Sequence, residues 1–421
     1  MTVSLMQWLR FLFRSLRHRE CRLFFIGQCG ALVGGWMQTL AMNWLVFKIA
    51  GSASMLGFVY LVNQGATFLV APLAGVYLDR LDRRKVYRIT QGLTMMLNIF
   101  SGILVFTGSM TLPHVFIINL IMGLVSGVDM PAGQTMLSDV TGRKEDLGNV
   151  IALNGALING AKIVGPLVAG VVVDDFGLSA CFILSGLCYV TMLIALSLFT
   201  VKPAGAEAKR GDFLKDFREG FRYVCTSPAI MATLALYFLL CVMNRPMLIL
   251  RPAFVGGVFS RGAEGYGLLM AAMGAGSLCG ALYMAAMKDS RGMGKVLVVS
   301  ACLLGLGQIG FSLAAAAVVM FFCELVIGIG MRAQMVASNT YLQEVVDEGK
   351  RGRVMSFFST TFVAASLIGD VIAAEGPALL TLKGTLMWSG VLCIAGGLLF
   401  LPWLPLLRKT TEAHMGKQKA V

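Results

Sequence analysis

Charge is in short supply in this sequence. Of its 421 residues only 14% are Asp, Glu, Lys or Arg, while 57% are hydrophobic. Soluble domains carry about 25% charged and about 45–50% apolar residues. The shortfall excludes an ordinary soluble fold and points to a chain that crosses a membrane several times. Histidine is scarcer still, with three in all. No Cys/His spacing suits a metal, so neither a metal nor a cofactor is expected. Phosphate-loop, dinucleotide-binding and GxSxG patterns are missing in workable contexts, so the chain is not expected to be an enzyme. The apolar runs do not alternate residue by residue, which excludes a membrane β-barrel. A net charge of +13 would suit nucleic acid, but the cations sit in short clusters between apolar runs. No nucleic-acid partner is therefore expected. The ten cysteines scatter through the runs or near their inner ends and read as apolar fillers with free thiols.

What is present is a series of twelve runs of membrane-spanning length. They lie at 23–47, 55–78, 87–107, 114–137, 149–173, 180–200, 229–250, 266–287, 296–316, 318–341, 354–376 and 385–407. The first run is about 25 residues long, too long for the apolar core of a cleaved signal. Lys and Arg orient the spans. With the N-terminus inside, 28 of the 35 fall on inner segments. Lys48, Arg251, Arg261 and Lys383 fall on outer segments, and Lys162, Arg245 and Arg332 fall within spans. This asymmetry predicts an integral, multi-pass membrane protein with both termini cytoplasmic and its basic face against anionic membrane lipid.

The pattern divides the chain into five parts. Residues 1–22 read as a cytoplasmic amphipathic segment, with Arg10, Arg14 and Arg17 on one helical face and Leu5, Leu9, Leu12 and Leu16 on the other, or as a frayed, merely basic tail. A six-helix bundle over 23–200 follows. Residues 201–228 are a cytoplasmic linker whose second half carries the apolar stripe Phe213, Phe217, Phe221 and Val224. A second six-helix bundle covers 229–407, and 408–421 is a cytoplasmic tail. The halves repeat: "QTMLSDVTGRKEDLGNVIALNGA" from Gln134 aligns with "NTYLQEVVDEGKRGRVMSFFSTT" from Asn339, at an offset of 205. The expected fold is all-α, with twelve transmembrane helices in two pseudo-symmetric bundles related by an axis along the membrane normal.

"GVYLDRLDRRK" (75–85) resembles the signature between spans two and three of the major facilitator superfamily: a Gly, then Asp-Arg, then a basic cluster. "GAKIVGPLVAG" (160–170) resembles the Gly-Pro pattern on span five of many exporters of that superfamily. "FREGFRYVCTSPAI" (217–230) and "DLGNVIALNGALINGAKIVGPLVAG" (146–170) are similar to its branch of enterobactin exporters and macrolide efflux proteins. The resemblance covers nearly the whole chain. It implies that Gly75, Asp79, Arg80, Asp82, Arg83 and Arg84 form a conformational latch on the inner side. Asp79 would dock at the positive N-terminus of span eleven near Val354, and the arginines would pair with Asp82, Asp139 or acids of the partner bundle. It also implies that Gly165, Pro166 and Gly170 serve as an exporter's pivot or seal. A plain packing kink explains them equally well.

Ionisable residues within spans are costly and mark candidate sites. Asp129 on span four and Arg332 on span ten share an inner depth and are expected to form an inner-side pair that breaks during the cycle. Arg245, Glu324 and Asp370 share an outer depth. Fixed structural ion pairs are the plainer reading of each. Asp129, Glu324 and Asp370 are the candidates for proton coupling, although many drug/proton antiporters of the superfamily carry arginine on span four where this chain has Asp129. Lys162 lies near the midplane with no evident partner and is a candidate for an anionic or phenolic group of the substrate, or a lysine that snorkels within the bundle. Gln38, Asn43, Asn63, Gln64, Asn154 and Asn159 are candidate cavity linings, or helix–helix hydrogen bonds.

The resulting expectation is a monomeric secondary transporter of a bacterial inner membrane, with a small-molecule substrate, protons and membrane lipid as partners. It would export a small amphipathic molecule, siderophore-like or macrolide-like, by alternating access. The alternatives are a lysophospholipid-type lipid transporter or a metabolite importer of the same fold. A different class again would be a non-transporting receptor or scaffold.

Overall fold

A computed structural model describes residues 14–78, 81–141, 146–199, 222–258, 262–287 and 292–419. No strand occurs among them. A 3-10 turn at Arg14–Arg17 leads into α1 (Arg19–Ala50), α2 (Ala53–Leu78), α3 (Arg83–Phe106), α4 (Leu112–Asp139) and α5 (Leu147–Leu198). Then come α6 (Pro228–Val258), α7 (Ala263–Ala286), α8 (Met293–Leu313), α9 (Ala317–Val345), α10 (Glu348–Leu399) and α11 (Leu404–Lys419). Among the described residues, ten helices are long and apolar enough to cross a membrane. Large apolar side chains such as Phe106, Phe176, Leu379 and Leu399 face outward. Bare surface of this kind suits hydrocarbon rather than water.

Two of these helices are 52 residues long, and each is broken once: α5 at Gly177 (φ 87°) and α10 at Thr381 (φ 66°). At each break one arm ends and a second begins. Gly177 meets no steric barrier there. Thr381 does, at a cost of about 1–3 kcal/mol, but its Oγ1 accepts the Gly384 amide at 3.2 Å and so caps the second arm. The two breaks fall within one residue of the 205-residue offset seen in the sequence repeat.

The chain folds as two compact units. Unit 1 gathers the described parts of Met1–Gly51, Val59–Ala208 and Ser260–Ala271. Unit 2 gathers those of Ser52–Phe58, Lys209–Phe259 and Ala272–Val421. The first turns of α7 thus belong to unit 1, and those of α2 to unit 2. In unit 1, α1 packs along both arms of α5 because glycines let the backbones close. A Cβ on Gly34 would stand 2.6 Å from the Ser185 carbonyl oxygen, and one on Gly165 would stand 2.6 Å from Trp36 Cβ. In unit 2, α8 meets the second arm of α10 at Gly305 and Gly390, where a Cβ on Gly390 would lie 2.7 Å from the Gly305 carbonyl oxygen. Such small-residue seams replace the hydrophobic drive that is absent between helices in lipid. The core of unit 1 centres on Phe24, Tyr87, Met136, Met192 and Leu196.

Candidate functional site

Unit 1 carries a partly open polar cavity of about 280 Å³ lined by α1, α2, α3, α4 and α5. Gln38, Asn43, Asn63 and Asp129, all singled out in the sequence, come together on its wall. Gln64, Asn154, Asn159 and Lys162 do not line it. Tyr60, Asn119 and Tyr189 do line it, and sequence reasoning missed them because two of the three are aromatic and read as packing. Asn43 Nδ2 donates to the hydroxyls of Tyr60 (2.9 Å) and Tyr266 (3.0 Å). Asn63 Nδ2 donates to the Asn119 carbonyl at 3.0 Å, tying α2 to α4. Asp129 Oδ1 accepts from Gln91 Nε2 at 2.9 Å and from the Thr90 hydroxyl. Two donors on α3 therefore aim this carboxylate.

Unit 2 sorts its buried charges into two pairs. Arg245 Nε on α6 donates to Asp370 Oδ1 on α10 at 2.6 Å. Arg251, further along α6, donates through Nη2 to Glu324 Oε2 on α9 at 3.1 Å and also meets Met273 Sδ at 3.2 Å. Arg251 corrects the sequence reading, which placed it on an outer segment. α6 runs on through Arg251 and Pro252 to Val258, and the arginine is 1% exposed. Glu324 is 0% exposed and needs a cation, and Arg251 rather than Arg245 supplies it. Arg332 Nη1 lies 3.8 Å from Met335 Sδ on its own helix.

Of the expected latch, Asp79 and Arg80 lie outside the described residues, and Gly75 lies within α2. Asp82 is the N-cap of α3 and accepts the Lys85 amide at 3.2 Å. Arg83 is buried and pairs with Asp139 at the end of α4, 3.5 Å away. Burial pushes the Asp139 carboxyl above its ordinary range, although the Arg83 guanidinium pulls it down. Arg84 donates to the carbonyls of Leu196 (2.8 Å) and Ser197 (3.2 Å), the last turn of α5. These residues fasten α3 to α4 and α5 within unit 1. Before them, Arg14 and His18 meet Asp146 at 3.0 and 3.4 Å, and Ser15 Oγ donates to Asn149 at 2.6 Å. Residues 1–13, the larger part of the expected amphipathic segment, and 201–221 of the linker lie outside the described residues.

On α5, helical geometry continues through Pro166, and the break lies further on at Gly177. Gly165 admits Trp36, and Gly170 admits the backbone of Glu264, whose Cα would be 2.8 Å from an added Cβ. Lys162 is not without a partner, contrary to the sequence reading: its ammonium lies 5.5 Å from the Trp36 ring centroid. Asp174, which the sequence reading passed over, accepts the amides of Ala263 (2.9 Å) and Glu264 (2.8 Å) and so caps α7. Among the described residues no His/Cys/Asp/Glu group could hold a metal ion.

The model of the transmembrane secretion effectors, a family of the major facilitator superfamily, matches residues 12–419. The chain belongs to this family. It is accordingly a multi-pass membrane transporter and not an enzyme. The chain is 25% identical to the staphyloferrin A transporter of Staphylococcus aureus, over 80% of this chain and 84% of that one. It is 24% identical to the enterobactin exporter EntS of Shigella boydii, over 95% and 96%. Among solved structures it resembles a bacterial homologue of the iron transporter ferroportin in an inward-facing state, with a TM-score of 0.69, 16% identity and coverage of 92% and 98%. That likeness concerns the fold. The helical architecture and superfamily expected from the sequence are borne out by these matches.

Proposed function

We propose that this transmembrane secretion effector exports a siderophore-like small molecule across a bacterial inner membrane by alternating access, with both termini cytoplasmic. The observation that carries the reading is the family match over nearly the whole chain, joined by two relatives named for siderophore transport. The distribution of Lys and Arg supports the orientation. The breaks at Gly177 and Thr381 support twelve crossings, because each 52-residue helix then supplies two. The division into a 23–200 and a 229–407 bundle, a monomeric state and contact with membrane lipid belong to the same proposal.

Proton coupling is assigned to Asp129. Glu324 and Asp370 are each held by an arginine, whereas the partners of Asp129 are neutral and it lines a cavity. A carboxylate so placed can exchange a proton as access alternates. Arg245–Asp370 and Arg251–Glu324 are then structural pairs, and Arg332 is left as a gating candidate. Enterobactin flux in proteoliposomes with an imposed pH gradient tests the assignment. Gradient-driven flux that Asp129→Asn uncouples is expected. Flux no greater than in protein-free vesicles would remove the export reading. Gradient-driven flux that survives Asp129→Asn unchanged would move coupling to another acid.

A further inference from the structure

At one end of unit 2, α8, α9 and α11 meet around a partly open cavity of about 270 Å³. Lys295 enters its wall from the first turn of α8, Tyr341 from the end of α9, and Leu404, Leu407 and Arg408 from the start of α11. A Cβ on Gly294 would fall 2.8 Å from Leu404 Cδ2, so the absent side chain lets α11 close over the start of α8. The wall offers hydrogens and positive charge. Tyr341 is 1% exposed, and its hydroxyl is buried with no hydrogen-bond partner. Thr410 stands near that hydroxyl but outside bonding geometry, and donates instead to the Leu406 carbonyl at 2.8 Å. Thr411 likewise donates to the Leu407 carbonyl at 3.0 Å. Lys295 is exposed and, among the described residues, has no recorded partner. Arg408 spends Nε on Glu412 at 3.0 Å, with no recorded bond from either Nη. Gly292, the N-cap of α8, has no side chain to bond the first amides of that helix. Its positive end therefore adds to the two cations. Hydroxyl oxygens are the side-chain acceptors on this wall, and among the described residues no Asp or Glu lines it.

Two cations, an idle hydroxyl donor and a helix N-terminus suit an anion with several oxygens, one for each donor. A buried hydroxyl without a partner is costly, and an oxygen seated in the cavity would remove that cost. The surroundings narrow the source. Leu401, Trp403 and Leu406, beside Leu404 in the chain, are 43%, 37% and 37% exposed. A tryptophan and bare leucines next to a basic pocket mark the depth at which phospholipid head groups lie. We infer that the cavity between α8, α9 and α11 binds a phosphate group, with Lys295 and Arg408 as counter-charges and the Tyr341 hydroxyl as donor, and that an anionic phospholipid supplies it. Such a site owes nothing to the export reading or to Asp129, and binding alone reports it.

Native mass spectrometry of the purified, delipidated full-length chain tests this. Dioleoylphosphatidylglycerol, dioleoylphosphatidylcholine and dioleoylglycerol share their chains and differ in head group, and glycerol 3-phosphate has no chains. Phosphatidylglycerol is expected to bind tightest of the three lipids. Lys295→Gln should weaken it about fivefold, and Tyr341→Phe about threefold to tenfold. Lys409→Gln removes an exposed cation of α11 that does not line the cavity, and should change binding far less. Tyr341→Phe should also melt no lower than wild type in lipid-free detergent, because its hydroxyl has no partner there to lose. A lower melting temperature would mean that the hydroxyl is bonded within the protein, which overturns its assignment. Unchanged binding in both Lys295→Gln and Tyr341→Phe overturns the site. So does a loss in Lys409→Gln as large as that in Lys295→Gln, which would show a diffuse basic surface, or dioleoylglycerol binding as tight as phosphatidylglycerol, which would show that the chains alone are held. Glycerol 3-phosphate that displaces the lipid at matched concentration supports the site but overturns the lipid as its source. Failure to displace supports the lipid.

Discussion

Arg251 and Glu324 form an ion pair fully withdrawn from solvent, with α6 supplying the cation and α9 the anion at 3.1 Å. Each is costly alone in a low-dielectric interior, and each is tolerable only because the other is there. Glu324→Gln or Arg251→Met alone should therefore destabilise the protein by about 3–5 kcal/mol. The double change Arg251→Met with Glu324→Leu should recover most of that loss. Thermal unfolding of the four proteins in one detergent checks it. Single variants as stable as wild type would show that the pair contributes nothing.

Much of the architecture was legible in the sequence because hydrocarbon enforces it: a run too short or too charged does not cross. Gln38, Asn43, Asn63 and Asp129 were legible for the same reason, since polar groups in apolar runs stand out. Partner choice was not legible. Arg251 stands beside Pro252, a pair that reads as the end of a helix, yet α6 continues and carries the guanidinium to Glu324. Lys162 looked unaccompanied because Trp36 is distant in sequence and an aromatic face leaves no charge pattern to find. Asp174 sits in "VVVDDFG", just past the run that ends at 173, and the sequence reading passed it over. Its role comes from the direction of the Ala263 and Glu264 amides, which composition does not encode.

The Arg245–Asp370 contact depends on a neighbour with no side chain. A Cβ on Gly369 would stand 2.5 Å from Arg245 Cβ and 2.6 Å from its Cγ. Gly369→Ala should therefore push the arginine stem aside and loosen its 2.6 Å bond to Asp370. The expected cost is about 1–3 kcal/mol, the range for overpacking a tight site. The second change Arg245→Ala removes the Cγ contact but keeps the Cβ and leaves the Val242 carbonyl 2.7 Å away, so it should relieve only part of the cost of Gly369→Ala in a double-mutant cycle of thermal unfolding. Additive losses would mean that the two positions do not act through this contact.

Asp139 gives the Arg83 pair a pH dependence whose sign can be stated. Burial raises the Asp139 carboxyl, and the Arg83 charge works against that rise. Removing the charge in Arg83→Gln should raise the carboxyl further and leave a poorly solvated anion at neutral pH. The native state then holds its proton more tightly than the unfolded chain. That favourable contribution is complete below the unfolded value, about 3.9, and is lost as pH rises through the folded value. The stability gap between wild type and Arg83→Gln should thus be about 1–3 kcal/mol at neutral pH and should narrow on acidification. Melting curves across that range decide it, and a gap independent of pH would rule out Asp139 as the group responsible.

Asp174 and the start of α7 form a cap made by a residue far away in sequence. Two carboxylate oxygens take the Ala263 and Glu264 amides, which have no partner one turn earlier in the helix. Gly262 keeps the approach open, because a Cβ there would fall 2.9 Å from both Asp174 Oδ1 and its carboxyl carbon. Asp174→Ala should cost about 0.5–2 kcal/mol, the usual range for a lost cap. The loss should be local: hydrogen exchange at Ala263 and Glu264 should accelerate while amides in the middle of α8 keep their protection. Asp174→Asn retains an acceptor but loses the charge that favours a helix N-terminus, so its exchange rates should fall between the two. Gly262→Ala should reproduce the Asp174→Ala pattern by displacing the carboxylate. If exchange at Ala263 and Glu264 is the same in all four proteins, the amides are protected by something other than Asp174.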